Sequence, residues 1–205
     1  MFITFEGIEG SGKSTQAILI EEHLSAKGLK VNLTREPGWG KLGELIRNVL
    51  LDDREITLDP FAELCLFCTD RVNHVKGYIK PKLDNGEIVI CDRYHDSTLI
   101  YQGIGRNNEK DLVAAMVIKS CLGVVPDITF LLDLPVDAGL QRISERKDKT
   151  KFDSESVAFH KRVRDGFLEL CKQQPQRIQM IDASREVDVI SEEINNILDI
   201  KLTKY

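Results

Sequence analysis

Residues 7–14 read Gly7-Ile8-Glu9-Gly10-Ser11-Gly12-Lys13-Ser14 and meet every fixed position of the pattern GxxxxGK[ST]. Phosphate chemistry asks for these residue types. Glycines let successive backbone N–H groups turn inward around phosphate oxygens, and a helix opening at Lys13 adds partial positive charge. Lys13 can reach the β- and γ-phosphates, and the Ser14 hydroxyl can hold Mg²⁺. The alternative is a glycine-rich turn with no ligand, but this loop follows a strand-like run and opens a helical one. It predicts a bound nucleoside triphosphate.

Two further groups bear on what happens to that triphosphate. Asp92 closes a strand-like run, where a carboxylate can order Mg²⁺ and its waters. Arg93 follows it, and its planar fork suits a second phosphate; a surface turn pair is the plain alternative. Phe67 and Arg71 stand four apart in a helical pattern and therefore share one face. An aromatic ring beside a guanidinium can stack on a base and donate to its carbonyl, although a helical Phe taken alone is core. A GTPase would show an NKxD segment and a DxxG switch. Here Asn73 is followed by His74, and the later strand ends in Leu132-Asp133-Leu134-Pro135. Phosphoryl transfer to a small acceptor leads, and a nucleotide-dependent switch or binding module is the rival from another class.

The elements that must position these groups alternate along the chain. Short apolar runs over 2–6, 30–34, 87–91, 128–134 and 177–181 read as strands, mostly without polar alternation, as in a parallel sheet covered on both faces. Helical patterns run over 13–27, 42–51, 60–83, 109–122, 136–146, 154–173 and 187–198. The alternation predicts an α/β fold with its ligands at the carboxyl ends of the strands.

A length of 205 residues suits one domain, with 42% hydrophobic and 30% charged residues. No apolar run reaches the ~20 residues a bilayer span needs, and MFITFEGIEG does not read as a signal peptide. The 28 basic against 33 acidic residues leave a net charge of −5. This balance disfavours a dedicated nucleic-acid binder. Five cysteines without an export signal read as reduced thiols in a cytoplasmic protein. Cys65 and Cys68 form a CxxC, but inside a helical pattern they read as packing residues rather than metal ligands.

Taken together, GIEGSGKST, Thr34-Arg35-Glu36-Pro37-Gly38, Phe67 with Arg71, Asp92-Arg93-Tyr94 and Tyr101-Gln102-Gly103 resemble the thymidylate kinase family. The likeness extends over nearly the whole chain, to Leu132-Asp133 and Ile181-Asp182-Ala183. It implies a five-stranded parallel sheet flanked by helices, a P-loop nucleotide kinase fold with a short lid at about 142–153, and a homodimer. It also implies in-line transfer of the γ-phosphoryl of ATP to dTMP with Mg²⁺. Residue by residue, Glu9 would accept from the deoxyribose 3′-hydroxyl, Phe67 would stack on thymine and Arg71 would donate to O4. Arg93 with Arg35 would clamp the dTMP phosphate, Ser97 and Gln102 would contact the base and its surroundings, and Tyr101 would lie beneath the sugar.

Two departures stand out. One branch of the family carries an arginine in the phosphate loop; here that position is Gly10, so the transition-state cation must come from the lid. The lid's usual Asp-Arg pair reads Thr150-Lys151, which leaves Lys151, Arg142 or Arg146 for the task, with Arg146 and Lys151 together preferred. Trp39 stands where a glycine commonly follows Pro37-Gly38. The nearest rival is a kinase acting on dUMP, UMP, CMP or a deoxynucleoside.

Overall fold

The computed structural model describes residues 1–52, 55–145 and 149–203. Five strands, β1 Phe2–Glu6, β2 Val31–Arg35, β3 Ile88–Asp92, β4 Ile128–Asp133 and β5 Ile178–Asp182, form one sheet in the order β2-β3-β1-β4-β5. Every neighbouring pair is parallel. Each strand end falls within one residue of its sequence expectation. β1 is buried along its whole length, whereas the edge strands β2 and β5 carry Asn32, Thr34 and Gln179 and are partly exposed. Burial on both faces is why the central strands lack polar alternation.

The helices are α1 Lys13–Ala26, α2 Gly40–Arg47, α3 Pro60–His74, α4 Lys80–Asp84, α5 His95–Thr98, α6 Lys110–Ser120, α7 Val136–Ser144, α8 Val157–Gln173 and α9 Val187–Leu202. They cover both faces of the sheet. Ile3 and Phe5 pack in one cluster with Ala17, Ile20 and Leu24 of α1 and Ile190, Ile194 and Leu198 of α9. Phe2 belongs to a second cluster with Leu64 and Cys68 of α3 and Val113 and Val117 of α6. Cys68 is thus a packing residue, and Cys65 one turn earlier is half-buried. Between α2, α3 and α6 the surface holds a groove of about 750 Å³ lined by Leu42, Cys65, Val72 and Met116. No described helix is long and apolar enough to cross a membrane.

The helical pattern over 60–83 is not one helix. α3 starts on the Asp59 side chain, which accepts from the Phe61 N–H at 2.8 Å, and Pro60 occupies the first turn. It opens into a π-helical turn over Val75–Ile79 before α4. Pro81 has no N–H to offer the Gly77 carbonyl, so the regular ladder cannot continue there. A second difference is α5, which runs into a π-helical turn over Leu99–Gly105. The sequence gives no sign of this helix, because its polar residues are turned into the protein.

Candidate active site

The phosphate loop joins β1, at the centre of the sheet, to α1. Two of its glycines sit where a side chain cannot. Gly7 has φ +139, and a Cβ there would come 2.5 Å from the Leu132 carbonyl oxygen. Gly10 has φ +77, and a Cβ would come 2.6 Å from the Gly139 carbonyl oxygen on α7. An arginine at position 10 therefore has no room in this chain. α1 opens without a side-chain cap, which leaves its first N–H groups for an anion. Lys13 Nζ donates to the Ile8 carbonyl at 2.7 Å and to Ser11 Oγ at 3.3 Å. The Ser14 hydroxyl donates to Asp92 Oδ2 in a short contact.

A cavity of about 300 Å³ lies over the strand ends. It brings Glu9, Gly10, Gly12, Lys13 and Ser14 of the loop together with Arg35, Phe67, Asp92, Arg93, Ser97, Tyr101 and Gln102. Sheet register accounts for part of this, since Arg35 pairs with Asp92 and Asp92 with Phe5. Arg93 adopts φ 68, a left-handed conformation that a non-glycine residue rarely takes. From there its Nη1 donates to the Gly7 carbonyl at 2.9 Å and to Ser97 Oγ at 3.1 Å, and its Nη2 to Glu9 Oε1 at 3.0 Å. The guanidinium carbon also lies 5.0 Å from the centre of the Tyr101 ring.

Glu9 accepts from the Tyr101 hydroxyl at 2.7 Å on the same Oε1. Its Oε2 is buried without a hydrogen-bond partner, with His160 Nδ1 at 3.4 Å. Burial would raise this carboxyl, but Arg93 foremost, with His160, Lys13 and Tyr101, outweighs burial and holds it at about 2. Phe67 is half-buried, its ring 6.2 Å from that of Phe152. Gln102 is buried, and its amide nitrogen donates to Glu63 Oε1 at 2.9 Å.

Arg71 is the exception. It is 1% exposed and does not line the cavity, although Phe67 one turn earlier does. Its Nε donates to Glu36 Oε2 at 2.9 Å and its Nη2 to the Tyr94 carbonyl and Thr98 Oγ1; Nη1 has no partner.

Of the expected lid cations, Arg146 lies outside the described residues. Arg142 Nη1 donates to the Gly10 and Ala183 carbonyls, each at 3.3 Å. Lys151 is not brought to the phosphate loop: its ammonium donates to the Val49 carbonyl at 2.9 Å and the Ile56 carbonyl at 2.8 Å. Its neighbours Thr150, Phe152 and Asp153 do line the cavity, as does Arg47.

Glu6 gave no functional signal beyond being an acid in an apolar strand. Its carboxyl is buried, accepting from the Tyr94 and Ser97 N–H groups at 2.9 and 3.2 Å and from the Ser97 hydroxyl at 2.5 Å. It thereby fixes the turn that carries Arg93. Burial, with Asp96 adding to it, raises the carboxyl from 4.5 to about 7. Between those values the unfolded chain is ionised while the native chain keeps its proton, so stability falls as pH rises, by up to about 3 kcal/mol. Glu6→Gln is expected to remove this slope. Urea unfolding at pH 5 and pH 7 checks it, and parallel pH trends in the two proteins would refute the raised value.

The family model described as thymidylate kinase matches residues 5–194. A thymidylate kinase of Trichlorobacter lovleyi is 45% identical over 190 residues, covering 90% of each chain. One of Chlamydia caviae is 40% identical over 97% of this chain and 95% of its own. Among solved structures, the thymidylate kinase of Ehrlichia chaffeensis superposes with a TM-score of 0.78 at 37% identity, covering 97% of this chain and 98% of the other.

Proposed function

The chain belongs to the thymidylate kinase family, and from that premise we propose how its own residues carry a phosphoryl group from ATP to dTMP. It phosphorylates dTMP to dTDP by direct in-line transfer, with ATP as donor and Mg²⁺ as cofactor, in support of dTTP synthesis. The observation that carries the residue assignment is the single cavity joining the phosphate loop to Phe67, Arg93 and Tyr101.

In this reading the loop N–H groups, Gly7 to Ser14, and Lys13 hold the ATP phosphates. Ser14 and Asp92 are hard oxygen donors in contact with each other beside Lys13, a donor set that fits Mg²⁺. When bound, the ion neutralises charge on the phosphate oxygens. Arg93 and Arg35 grip the acceptor phosphate, whose oxygen is already anionic near neutral pH and needs no strong base. Asp92 therefore organises rather than abstracts. Glu9 receives the 3′-hydroxyl on Oε2, an acceptor with no other hydrogen bond. Tyr101, tied to Glu9, lies beneath the sugar, and Phe67 stacks on thymine. Arg71 donates to O4 through its unpaired Nη1, with Ser97 and Gln102 contacting the base and its surroundings.

We assign one P-loop kinase domain to residues 1–205 with a lid over 142–153. Arg146 and Lys151 supply the transition-state cation, Lys151 after leaving the Val49 and Ile56 carbonyls. Arg142, whose Nη1 donates to the Gly10 carbonyl, is the alternative within the lid. A cytoplasmic setting is supported by five free cysteines, and recovery of the protein in an exported fraction would overturn it. A homodimer through α2, α3 and α6 is supported by the groove there and by Leu45 and Ile118, which are 61% and 70% exposed. Light scattering is expected to give twice the chain mass, and Leu45→Glu to return it to one; a wild-type monomer would remove the dimer.

Coupled ADP release with ATP and Mg²⁺ against dTMP, dUMP, UMP, CMP and dGMP tests the whole reading. The expected result is highest kcat/KM with dTMP. A preference for another monophosphate would keep the phosphate-loop assignment and sink the thymine one, and no turnover would favour a nucleotide switch.

A further inference from the structure

Arg71 is held by a chain of buried groups that the transfer chemistry does not itself use. Glu36, 4% exposed, gives Oε2 to Arg71 Nε at 2.9 Å, and its other oxygen, Oε1, lies 3.0 Å from His74 Nδ1. His74 is fully buried, and its Nε2 lies 2.8 Å from Thr34 Oγ1. With Nδ1 donating to the carboxylate, Nε2 accepts from the hydroxyl. The ring is held from its face as well. Trp39 stacks on it at 5.6 Å with 19° between planes, and Tyr78 at 6.0 Å with 17°. Trp39 fits there because position 77 is glycine, where a Cβ would come 2.6 Å from the indole.

Two edges of the guanidinium are thus committed, Nε to Glu36 and Nη2 to Thr98 and Tyr94. Only Nη1 is left, a buried donor without a partner. A guanidinium donates and cannot accept. Held in this way it cannot turn aside; with Arg71 assigned to O4, a base oxygen would satisfy it and a base amino group would meet it donor to donor.

We propose that His74 and Glu36, with Trp39 clamping the imidazole, are positioning residues that fix Arg71 so that its unpaired N–H selects a 4-keto over a 4-amino pyrimidine. This rests on the assignment of Arg71 to O4 made above. A buried donor left unmet is costly, which is how a site built for one hydrogen-bond pattern rejects the reversed one.

The test compares kcat/KM for dTMP and for 5-methyl-dCMP, which share sugar, phosphate and 5-methyl group. Arg71→Lys is expected to lower the dTMP preference by more than tenfold. His74→Phe keeps an aromatic ring for Trp39 but removes the donor, and is expected to lower it about tenfold, through KM for dTMP with kcat little changed. His74→Asn, which can still donate to Glu36, is expected to stay within about threefold of wild type. Loss of preference in Arg71→Lys with none in His74→Phe would overturn the positioning role and leave Arg71 as the reader. No change in Arg71→Lys would remove the O4 assignment and this inference with it. Glu36→Gln, with the same expected loss, serves where His74→Phe fails to fold, and thermal melts establish which variants are native.

Discussion

Arg93→Ala is expected to lower kcat/KM for dTMP by about 10³-fold, the scale at which a charged group that holds a reacting phosphate in line contributes. The guanidinium has three protein partners, Gly7, Ser97 and Glu9, and stands on the Tyr101 ring, so its position is set before any substrate arrives. Preorganisation of this kind is what alanine removes. A second effect follows on Glu9. Without Arg93, burial gains against the remaining partners, and the carboxyl moves up from about 2. The backbone supplies an internal control. Position 93 has φ 68, so Arg93→Gly is expected to be more stable than Arg93→Ala by about 1 kcal/mol while equally inactive. Steady-state kinetics and urea unfolding of the pair separate the two contributions. Turnover near wild type in either variant would take Arg93 out of the mechanism.

Lys13→Ala carries the other large expectation, a loss of about 10²–10³-fold in kcat with dTMP affinity kept within about threefold. The lysine is folded back onto the Ile8 carbonyl and Ser11, within the loop that it serves. Burial, with Arg93 adding to it, lowers its ammonium to about 8 against the opposing carboxylates of Asp92, Glu9 and Glu6. Above that pH the free enzyme loses the charge that phosphate requires. kcat/KM for ATP in the wild type should therefore decline as pH rises through about 8, a limb absent from Lys13→Ala. Calorimetry with dTMP and a pH–rate profile with ATP measure both. A variant that loses dTMP binding instead would place Lys13 on the acceptor side. Arginine is not expected to rescue, since a wide planar fork replaces a compact point charge.

The strands and the phosphate loop were readable because local pattern determines them. Apolar runs such as Ile88-Val89-Ile90 cannot be solvated, and the glycine spacing of the loop matches what phosphate oxygens need. Residues whose role depends on distant partners were not readable. Glu36 stands in the Thr34–Gly38 stretch but acquires its work from Arg71 and His74, 35 and 38 residues away. Glu6 meets Ser97 across 91 residues. His160 approaches Glu9 from α8, and nothing local marks it. Shared spacing put Phe67 and Arg71 on one helix face correctly, but only tertiary packing decides that the ring reaches the cavity while the guanidinium is buried. Trp39, a departure in sequence, becomes intelligible once Gly77 and His74 lie under it.

Lys151 spans the chain differently from the other cations. Its ammonium joins the proposed lid segment to two carbonyls, Val49 and Ile56, and α2 ends in Arg47 at the cavity wall. A displacement on one side must drag the other or break both bonds. In the proposed assignment ATP lies on the lid side of this tie and dTMP beside α2, so a step that releases Lys151 from the two carbonyls is expected to be felt by both substrates. Their affinities are then expected to be linked, with whatever factor one imposes on the other returned in equal measure.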